Sequence, residues 1–259
     1  MKRQAIIRKI LILICCIIFC YSGWQLLSYY YETRTSKKEF QTLETIAFEE
    51  VKDETETIKE TGKKEQQEAE KEKKFQYEKL KEKNEDIFGW ITIEGTRIDY
   101  PVMYRDGDNE FYLHHNFQKE YSITGTPFID GNWNPKSKTD NLMIYAHHMK
   151  DGSMFADLMK YEDSEFYEQH KQVTLYIKNE KHTYQIFAVC RVSADYEQEF
   201  YNMMQLEQEE YESYLETIKE KALYATDSYP KNQEKLLLLS TCEYSQENGR
   251  LIVLAKELI

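Results

Sequence analysis

Short stretches of alternating apolar and polar residues dominate the chain from Ile87 onward. In FGWITIEGTRIDYPVMY the alternation is interrupted by Gly95 and Pro101, which favour turns. A period of two is typical of strands that bury one face. The pattern predicts a mainly β domain that closes into a barrel. Further strands are predicted at residues 142–146, 173–177, 184–192, 236–240 and 251–255.

A helical spacing interrupts the strands once, over residues 208–226. Apolar residues recur there every three or four positions, which places them on one face of a helix. They are Tyr211, Tyr214, Leu215, Ile218 and Ala222. The sequence therefore predicts one amphipathic helix inserted before the final pair of strands.

The first 31 residues differ in character from the rest. An uncharged run from Ile10 to Leu27 would span roughly 27 Å as a helix, close to the apolar thickness of a bilayer. Only basic charges precede this run, so the positive-inside rule keeps the N-terminus in the cytoplasm. A cleaved secretory peptide is the alternative, but no small-x-small cleavage site follows the run. We expect residues 1–31 to form a cytoplasmic flank and a transmembrane signal anchor.

Residues 32–85 are rich in Glu, Lys, Gln and Thr, a composition that favours solvated helix. Apolar positions are too sparse for the seam of a coiled coil. We therefore expect a charged, largely helical stalk over 32–85 that carries an extracellular domain at 86–259.

The charge of the chain argues against one class of partner. The formal net charge is −12, and residues 86–259 hold 30 acidic and 17 basic side chains. Such a surface repels phosphate backbones, and no basic stripe interleaved with aromatic residues offsets it. We expect no nucleic-acid partner.

Five cysteines are present, and three of them, at positions 15, 16 and 20, lie inside the apolar run. Cys190 and Cys242 alone follow it, which is too few for a disulfide framework. Either these two pair with each other, or Cys242 is a thiol retained for chemistry.

A hairpin is predicted in CEYSQENGR, because Asn248-Gly249 tolerates the positive φ of a tight turn. It would set Cys242 opposite Arg250, with Cβ atoms about 5 Å apart. A permanently charged guanidinium would then lie beside the thiol. The alternative is an ordinary buried cysteine and a surface arginine.

Two histidines, His147 and His148, end the strand NLMIYA. A thiol needs such a partner for acyl transfer, because an imidazolium protonates the leaving amine after the thiolate attacks a carbonyl. A thiol with an ordinary pKa is only about 3% ionised at pH 7. All six histidines precede Cys242, which excludes the papain-type order.

At these residues the chain resembles class B sortases, a family of cysteine transpeptidases. The resemblance rests on YAHHMKDGSMF, LLSTC and GRLIV, and it extends from GWITIEGTRIDYPVM through DNEFYLHHNF to the C-terminus. Leu239 stands where a stricter form of the motif has threonine. The resemblance implies a closed barrel of about eight strands with N-terminal helices and one inserted helix, as in the family.

The resemblance also implies roles for individual side chains. Cys242 matches the nucleophile, Arg250 the stabilising arginine and His147 the acid. His147 is preferred to His148 because the family's histidine directly follows a small residue, here Ala146. The implied substrate groove is lined by Asn109, Leu113, Tyr196, Ser240, Thr241 and Glu243.

Neither a metal nor another cofactor is expected. His114-His115 lacks a second ligand pair and any HExxH motif, and DGDNE is at most a weak Ca²⁺ site.

The resemblance thus implies a membrane-anchored enzyme of a Gram-positive-type cell surface. It would cleave a C-terminal sorting motif of exported proteins after threonine, form a thioacyl enzyme, and transfer the protein to a peptidoglycan amino group. Three alternatives remain: a pilin-polymerising sortase, a cysteine endopeptidase, and a non-catalytic scaffold with a Cys190–Cys242 disulfide.

Overall fold

A barrel of eight strands forms the centre of the computed structural model. The structure describes residues 2–50, 73–134, 141–194, 200, 201, 203, 206, 208–231, 234–245 and 247–258. The barrel strands are β3 (Ile87–Thr92), β4 (Asp99–Met103), β5 (Phe128–Ile129), β6 (Leu142–Tyr145), β7 (Gln172–Ile177), β8 (Glu180–Ser193), β9 (Leu236–Cys242) and β10 (Gly249–Glu257). Going round the barrel, the order is β10-β8-β7-β3-β4-β5-β6-β9, and β9 pairs with β10 to close it.

Helices and two short strands surround the barrel. They are α1 (Lys2–Ala47), β1 (Phe48–Glu50), β2 (Lys73–Phe75), α2 (Tyr77–Lys81), a 3₁₀ helix (Phe155–Glu162), α3 (Ser164–Gln169) and α4 (Gln208–Lys221). The expected closed barrel with N-terminal helices and one inserted helix is confirmed.

The apolar strands β9 and β10 are buried on both faces. Leu237 and Leu239 belong to the main core, whereas Leu236 and Leu238 belong to a second cluster beneath α4. Successive side chains point to opposite faces of a strand, so this division follows from the period of two. The continuous run LLLL is explained by helix packing on the outer face of the barrel.

The inserted helix α4 covers that outer face. Its side chains Tyr211, Tyr214 and Ile218 are buried in the second cluster, as the spacing predicts. The Tyr214 hydroxyl donates a hydrogen bond of 3.1 Å to the Phe200 carbonyl.

The N-terminal half of α1 is apolar and exposed. Large apolar side chains from Ile6 to Leu27 point outward, among them Ile10 (51% exposed) and Leu27 (68%). Within the part of the chain that the structure describes, α1 is the one helix long and apolar enough to cross a membrane.

The C-terminal half of α1 packs on the barrel. Phe40 lies edge-on to Tyr100 of β4, with 5.1 Å between ring centroids. The buried residues of this half recur every three or four positions, so they form one stripe. They are Thr33, Ser36, Phe40, Leu43 and Ala47.

Glu39 fastens α1 to the loop between β4 and β5. Its carboxylate accepts hydrogen bonds of 3.2 Å from the Phe117 amide and from the Asn116 side chain. Burial raises the pKa of Glu39 to about 7, although these two donors lower it.

The two ends of the expected stalk therefore differ from the expectation. Residues 33–48 and 75–80 pack on the barrel, and Leu80 is fully buried, while residues 51–72 lie outside the described residues. The packing stripe escapes a hydropathy pattern because Thr33 and Ser36 are polar. Each hydroxyl has a partner. Thr33 donates a hydrogen bond of 3.0 Å to the Tyr29 carbonyl, and Ser36 accepts one of 3.0 Å from the Thr124 hydroxyl.

Candidate active site

Three strand ends meet at one end of the barrel. Strands β6 and β9 run parallel, with Tyr145 beside Ser240. The Ala146 amide donates a hydrogen bond of 3.3 Å to the Ser240 carbonyl. Strands β9 and β10 run antiparallel, with Cys242 directly opposite Arg250. The pairing of Cys242 with Arg250 that the sequence predicts is therefore present. Asn248 adopts a φ of 49°, a positive value of the kind that its turn needs.

Side-chain parity places the three candidate residues on the outer face of the barrel. Met143 of β6, Leu238 of β9 and Ile252 of β10 all belong to the cluster beneath α4. Steps of two along each strand keep the same face, so His147, Cys242 and Arg250 follow on that side. This end of the barrel thus continues the surface that α4 covers.

A cavity of about 250 Å³ brings the candidates together. Seven of the nine expected site residues line it: Cys242, His147, Arg250, Asn109, Leu113, Ser240 and Thr241. The cavity walls are completed by Phe128, Tyr145 and Ala146.

The His147 ring is oriented by a backbone group. Its Nε2 lies 2.8 Å from the Leu113 carbonyl, and a carbonyl only accepts, so Nε2 carries the proton. Nδ1 is then the nitrogen left to exchange a proton. Burial lowers the pKa of His147 below its usual value, the Leu113 carbonyl raises it, and nearby His114 lowers it.

The loop that holds Leu113 is itself tightly packed. Gly125 has a φ of +58°, and a Cβ there would lie 2.5 Å from the Tyr112 carbonyl oxygen and 2.6 Å from that of Leu113. A side chain at this position would collide with the group that orients His147.

Asn109 belongs to the same loop and supports it from the other side. Its side-chain oxygen accepts a hydrogen bond of 2.5 Å from the Gly131 amide. Asn109 is thus a bridge between this loop and the end of β5.

Arg250 and Tyr145 form the polar wall opposite the loop. The Arg250 guanidinium donates a hydrogen bond of 2.9 Å to the Gly249 carbonyl. The Tyr145 hydroxyl donates a hydrogen bond of 2.8 Å to the buried Asp130 carboxylate. Burial and then Asp130 raise the pKa of Tyr145, whereas Arg250, which lines the same cavity, lowers it.

His148 occupies a different position from His147. Its Nδ1 lies 3.0 Å from the backbone carbonyl of Cys242. Because a carbonyl accepts, His148 donates this bond and ties the end of β6 to the end of β9.

Ser240 and Thr241 differ in how their hydroxyls are used. The Thr241 hydroxyl donates a hydrogen bond of 2.9 Å to the Ala146 carbonyl and so also joins β9 to β6. The Ser240 hydroxyl is buried and has no hydrogen-bond partner among the described residues.

Two of the expected groove residues are not in the cavity wall. Glu243 is 6% exposed, accepts hydrogen bonds from the Ser245 amide and hydroxyl, and lies 3.9 Å from Arg191. Its carboxylate is engaged by Ser245 and faces Arg191 of β8, and none of these three residues lines the cavity. Tyr196 lies outside the described residues.

The disulfide alternative is wrong. Neither Cys190 nor Cys242 forms a disulfide. Cys190 lies in β8, and β10 separates β8 from β9. Strands two apart are about 9.6 Å from each other, whereas a disulfide needs Cα atoms within about 7 Å.

The sequence-based reasoning missed Tyr145 and Phe128. Tyr145 precedes His147 by two positions, so strand parity alone places the two side chains on one face. Phe128 has no such signal, because β5 contains only two residues.

Among the described residues, no group of three or more His, Cys, Asp or Glu side chains is arranged to hold a metal ion. The pair His114-His115 is used otherwise. The His115 ring stacks on the Phe111 ring with 4.0 Å between centroids, and the centroids of the His114 and His147 rings are 6.2 Å apart.

Comparison with known proteins agrees with this geometry. Residues 91–258 match the family model of the sortase domain. The chain is 32% identical to sortase B of Listeria monocytogenes, over 99% of its own length and 98% of that protein.

Solved structures give the same result. Clostridium perfringens sortase B is 37% identical, with a TM-score of 0.66 over 70% of this chain and 99% of that one. A Staphylococcus aureus sortase B–substrate complex is 30% identical, with a TM-score of 0.64 over 70% of this chain and 84% of that one. The chain therefore belongs to the sortase family, in its class B, and is a cysteine transpeptidase.

Proposed function

We propose that the chain is a single-pass membrane enzyme that attaches exported proteins to peptidoglycan. Its N-terminus would lie in the cytoplasm and its barrel on the extracellular side, and the protein substrate would present a C-terminal sorting motif. The observation that supports this most is the convergence of Cys242, His147 and Arg250 from three strand ends on one cavity.

Cys242 acts as the nucleophile in this proposal. Its thiolate attacks the carbonyl carbon of the threonine in the sorting motif, and the carbon–sulfur bond forms. When the tetrahedral intermediate collapses, the peptide C–N bond breaks and leaves a thioacyl enzyme.

His147 acts as the acid and then as the base. Protonated at Nδ1, it gives its proton to the leaving amine. In the second half it removes a proton from the peptidoglycan amine as that amine attacks the thioester, and the thiolate leaves. The hydrogen bond from Nε2 to Leu113 keeps the ring in one orientation through both steps.

Arg250 stabilises the oxyanion of both tetrahedral intermediates. It lies directly across the hairpin from Cys242, so a fixed positive charge faces the carbon under attack. Pre-positioned charge of this sort lowers a barrier without reorganisation during the reaction. Its planar fork also suits binding of the substrate backbone.

The barrel wall around Cys242 supplies the substrate groove. Asn109, Leu113, Ser240 and Thr241 line the cavity. The unpartnered Ser240 hydroxyl is ready to bond a polar group of the peptide. Glu243 is not in this wall, and Tyr196 lies outside the described residues.

The test is a transfer assay with the full chain in detergent micelles. A panel of fluorescent sorting peptides and a small amine should give a transfer product, detected by mass spectrometry. Cys242→Ala should abolish it. Product formation by this variant would overturn the assignment of the nucleophile.

The two histidines provide a matched pair of variants. His147→Ala should abolish turnover, whereas His148→Ala should retain it, because the His148 ring bonds the backbone carbonyl of Cys242 through Nδ1. The reverse result would move the acid to His148.

Arg250→Lys tests the guanidinium, since lysine keeps the charge but loses the planar fork. Loss of an oxyanion donor costs about 10²–10³ in kcat. An unchanged kcat would remove Arg250 from this role.

A further inference from the structure

The anchor helix joins the barrel without a linker. Leu27, the last residue of the apolar run, is 68% exposed, and Tyr29 two residues later already packs against the main core. Because α1 is continuous and rises 1.5 Å per residue, these two side chains lie about 3 Å apart along the helix axis. The barrel therefore starts where the membrane-crossing segment ends.

The first part of the barrel that α1 meets is the loop after His147. The Tyr29 hydroxyl is buried and lies near the backbone amides of Lys150 and Asp151 without completing a hydrogen bond. Burial raises the pKa of Tyr29, and the adjacent Asp151 carboxylate raises it further. A cavity between helix and loop is lined by Thr33, Asp151 and Ser153, so the contact continues along α1.

Tyr244, two residues after Cys242, contacts the start of this loop at His148, with 5.3 Å between ring centroids. The Tyr244 side chain is 72% exposed, and its hydroxyl donates a hydrogen bond of 3.3 Å to the His148 carbonyl. Burial of the hydroxyl end raises the pKa of Tyr244, Cys242 raises it, Arg250 lowers it and Tyr29 raises it. Tyr244 thus connects the loop that Tyr29 meets with the strand end that holds the proposed nucleophile.

We propose that the rim of the active site, formed by Lys150 and Tyr244, rests on the head-group layer of the outer membrane surface. The partner is the lipid bilayer itself. This inference rests on the membrane anchoring of the proposed function and adds the position of the site relative to the bilayer.

The chemistry of the rim suits that partner. Tyrosine is enriched where membranes meet water, because its ring is apolar and its hydroxyl is polar. Tyr30 (53% exposed) and Tyr31 (74%) follow Tyr29 directly on α1. Lys150 is exposed, and a lysine keeps its ammonium among head groups while its stem covers apolar surface.

The opposite end of the barrel provides the control position. The C-terminal end of α1 leads into Phe48, which lies 5.1 Å from Tyr176 of β7. That strand runs into the β7–β8 hairpin, where Ile177 pairs with Glu180. The 20 residues of helix between Leu27 and Ala47 place this hairpin about 30 Å farther along the axis.

A membrane-level site has a consequence for the reaction. A protein leaving the membrane and a lipid-linked amine are both confined to the surface, so both reach a site at that level at high effective concentration. A site held on a long stalk would lose this advantage.

The inference is tested by depth-dependent fluorescence quenching. The full chain is placed in phosphatidylcholine–phosphatidylglycerol vesicles that contain lipids spin-labelled near the head group. Residues 15, 16 and 20 are changed to serine and Cys242 to alanine, and buried Cys190 is retained. A bimane label is then attached at Tyr244→Cys or, as the control, at Glu180→Cys.

We expect the label at 244 to lose fluorescence with these lipids and the label at 180 to keep it. A third sample retains Cys20 and carries the label inside the apolar run. If the label at 20 is quenched and the label at 244 is no more quenched than that at 180, the proposed rim contact is overturned but the anchor stands. If the label at 20 is not quenched, the anchor itself fails.

A second measurement needs no substitution and decides the question if a variant does not fold. The unsubstituted chain is irradiated in vesicles that contain a lipid with a photoactivatable head group, and the adducts are mapped by mass spectrometry. Adducts on residues 243–245 but not on 178–181 support the inference. Equal labelling of the two regions, or no labelling of the first, overturns it.

Discussion

Replacing Phe40 by alanine should destabilise the whole barrel, although Phe40 lies in a segment whose composition suggests a solvated stalk. Phe40 is 5% exposed and contacts Tyr100 edge-on. Truncating a buried phenylalanine costs about 3–5 kcal/mol, of which about 1 kcal/mol comes from the aromatic pair. We expect about 3 kcal/mol, the lower end of that range, because a helix on a barrel surface can settle into the gap.

Urea unfolding of the full chain in detergent micelles measures this loss. Trp90 is fully buried in β3, so its fluorescence reports the barrel. With a slope of about 2 kcal/mol per molar urea, the midpoint should fall by about 1.5 M. Gln41→Ala, on the exposed side of the same helix, is the matched control and should change stability by less than about 0.5 kcal/mol. Equal midpoints for the two variants would mean that α1 stands apart from the barrel.

Three further outcomes follow from the structure. Gly125→Ala should lower kcat in the transfer assay by more than it raises KM, because the added Cβ displaces the Leu113 carbonyl that orients His147; unchanged kcat would show that the carbonyl is not needed. His114→Asn should move the NMR titration midpoint of His147 to higher pH, since a neighbour that lowers its pKa is removed, and a midpoint shifted to lower pH would contradict this. The pKa of Glu39 is raised in the folded chain to about 7, so the contribution of Glu39 to stability should be complete below the unfolded value near 4.5 and should fall as pH rises through 7. Glu39→Gln should flatten that fall in pH-dependent urea titrations, and a persisting slope would assign it elsewhere.

The strands and the hairpin were predictable because their signals are local. Short apolar runs located β6, β8, β9 and β10, and Asn248-Gly249 set the register that opposes Cys242 to Arg250. The apolar spacing of α4 gave both its position and its buried face. In each case neighbouring residues decide the conformation.

The remaining features depend on distant residues. Nothing near Leu113 in the sequence shows that its carbonyl orients His147, 34 residues away. The docking stripe of α1 contains Thr33 and Ser36, whose burial depends on hydrogen-bond partners and not on hydropathy. Glu243 was misplaced because a neighbour of Cys242 in sequence was taken for a neighbour in the groove, whereas its carboxylate contacts Ser245 and Arg191.

The pairing of β6 with β9 links catalytic competence to the completion of folding. The hydrogen bond from Thr241 to Ala146 joins residues 95 apart in sequence, and β10 must pair with both β8 and β9 to bring in Arg250. Contacts of such long range form late, because the closure entropy of the chain is lost before they contribute. A chain that is still folding therefore carries the Cys242 thiol without His147 and Arg250 beside it, and acyl transfer begins only after the barrel has closed.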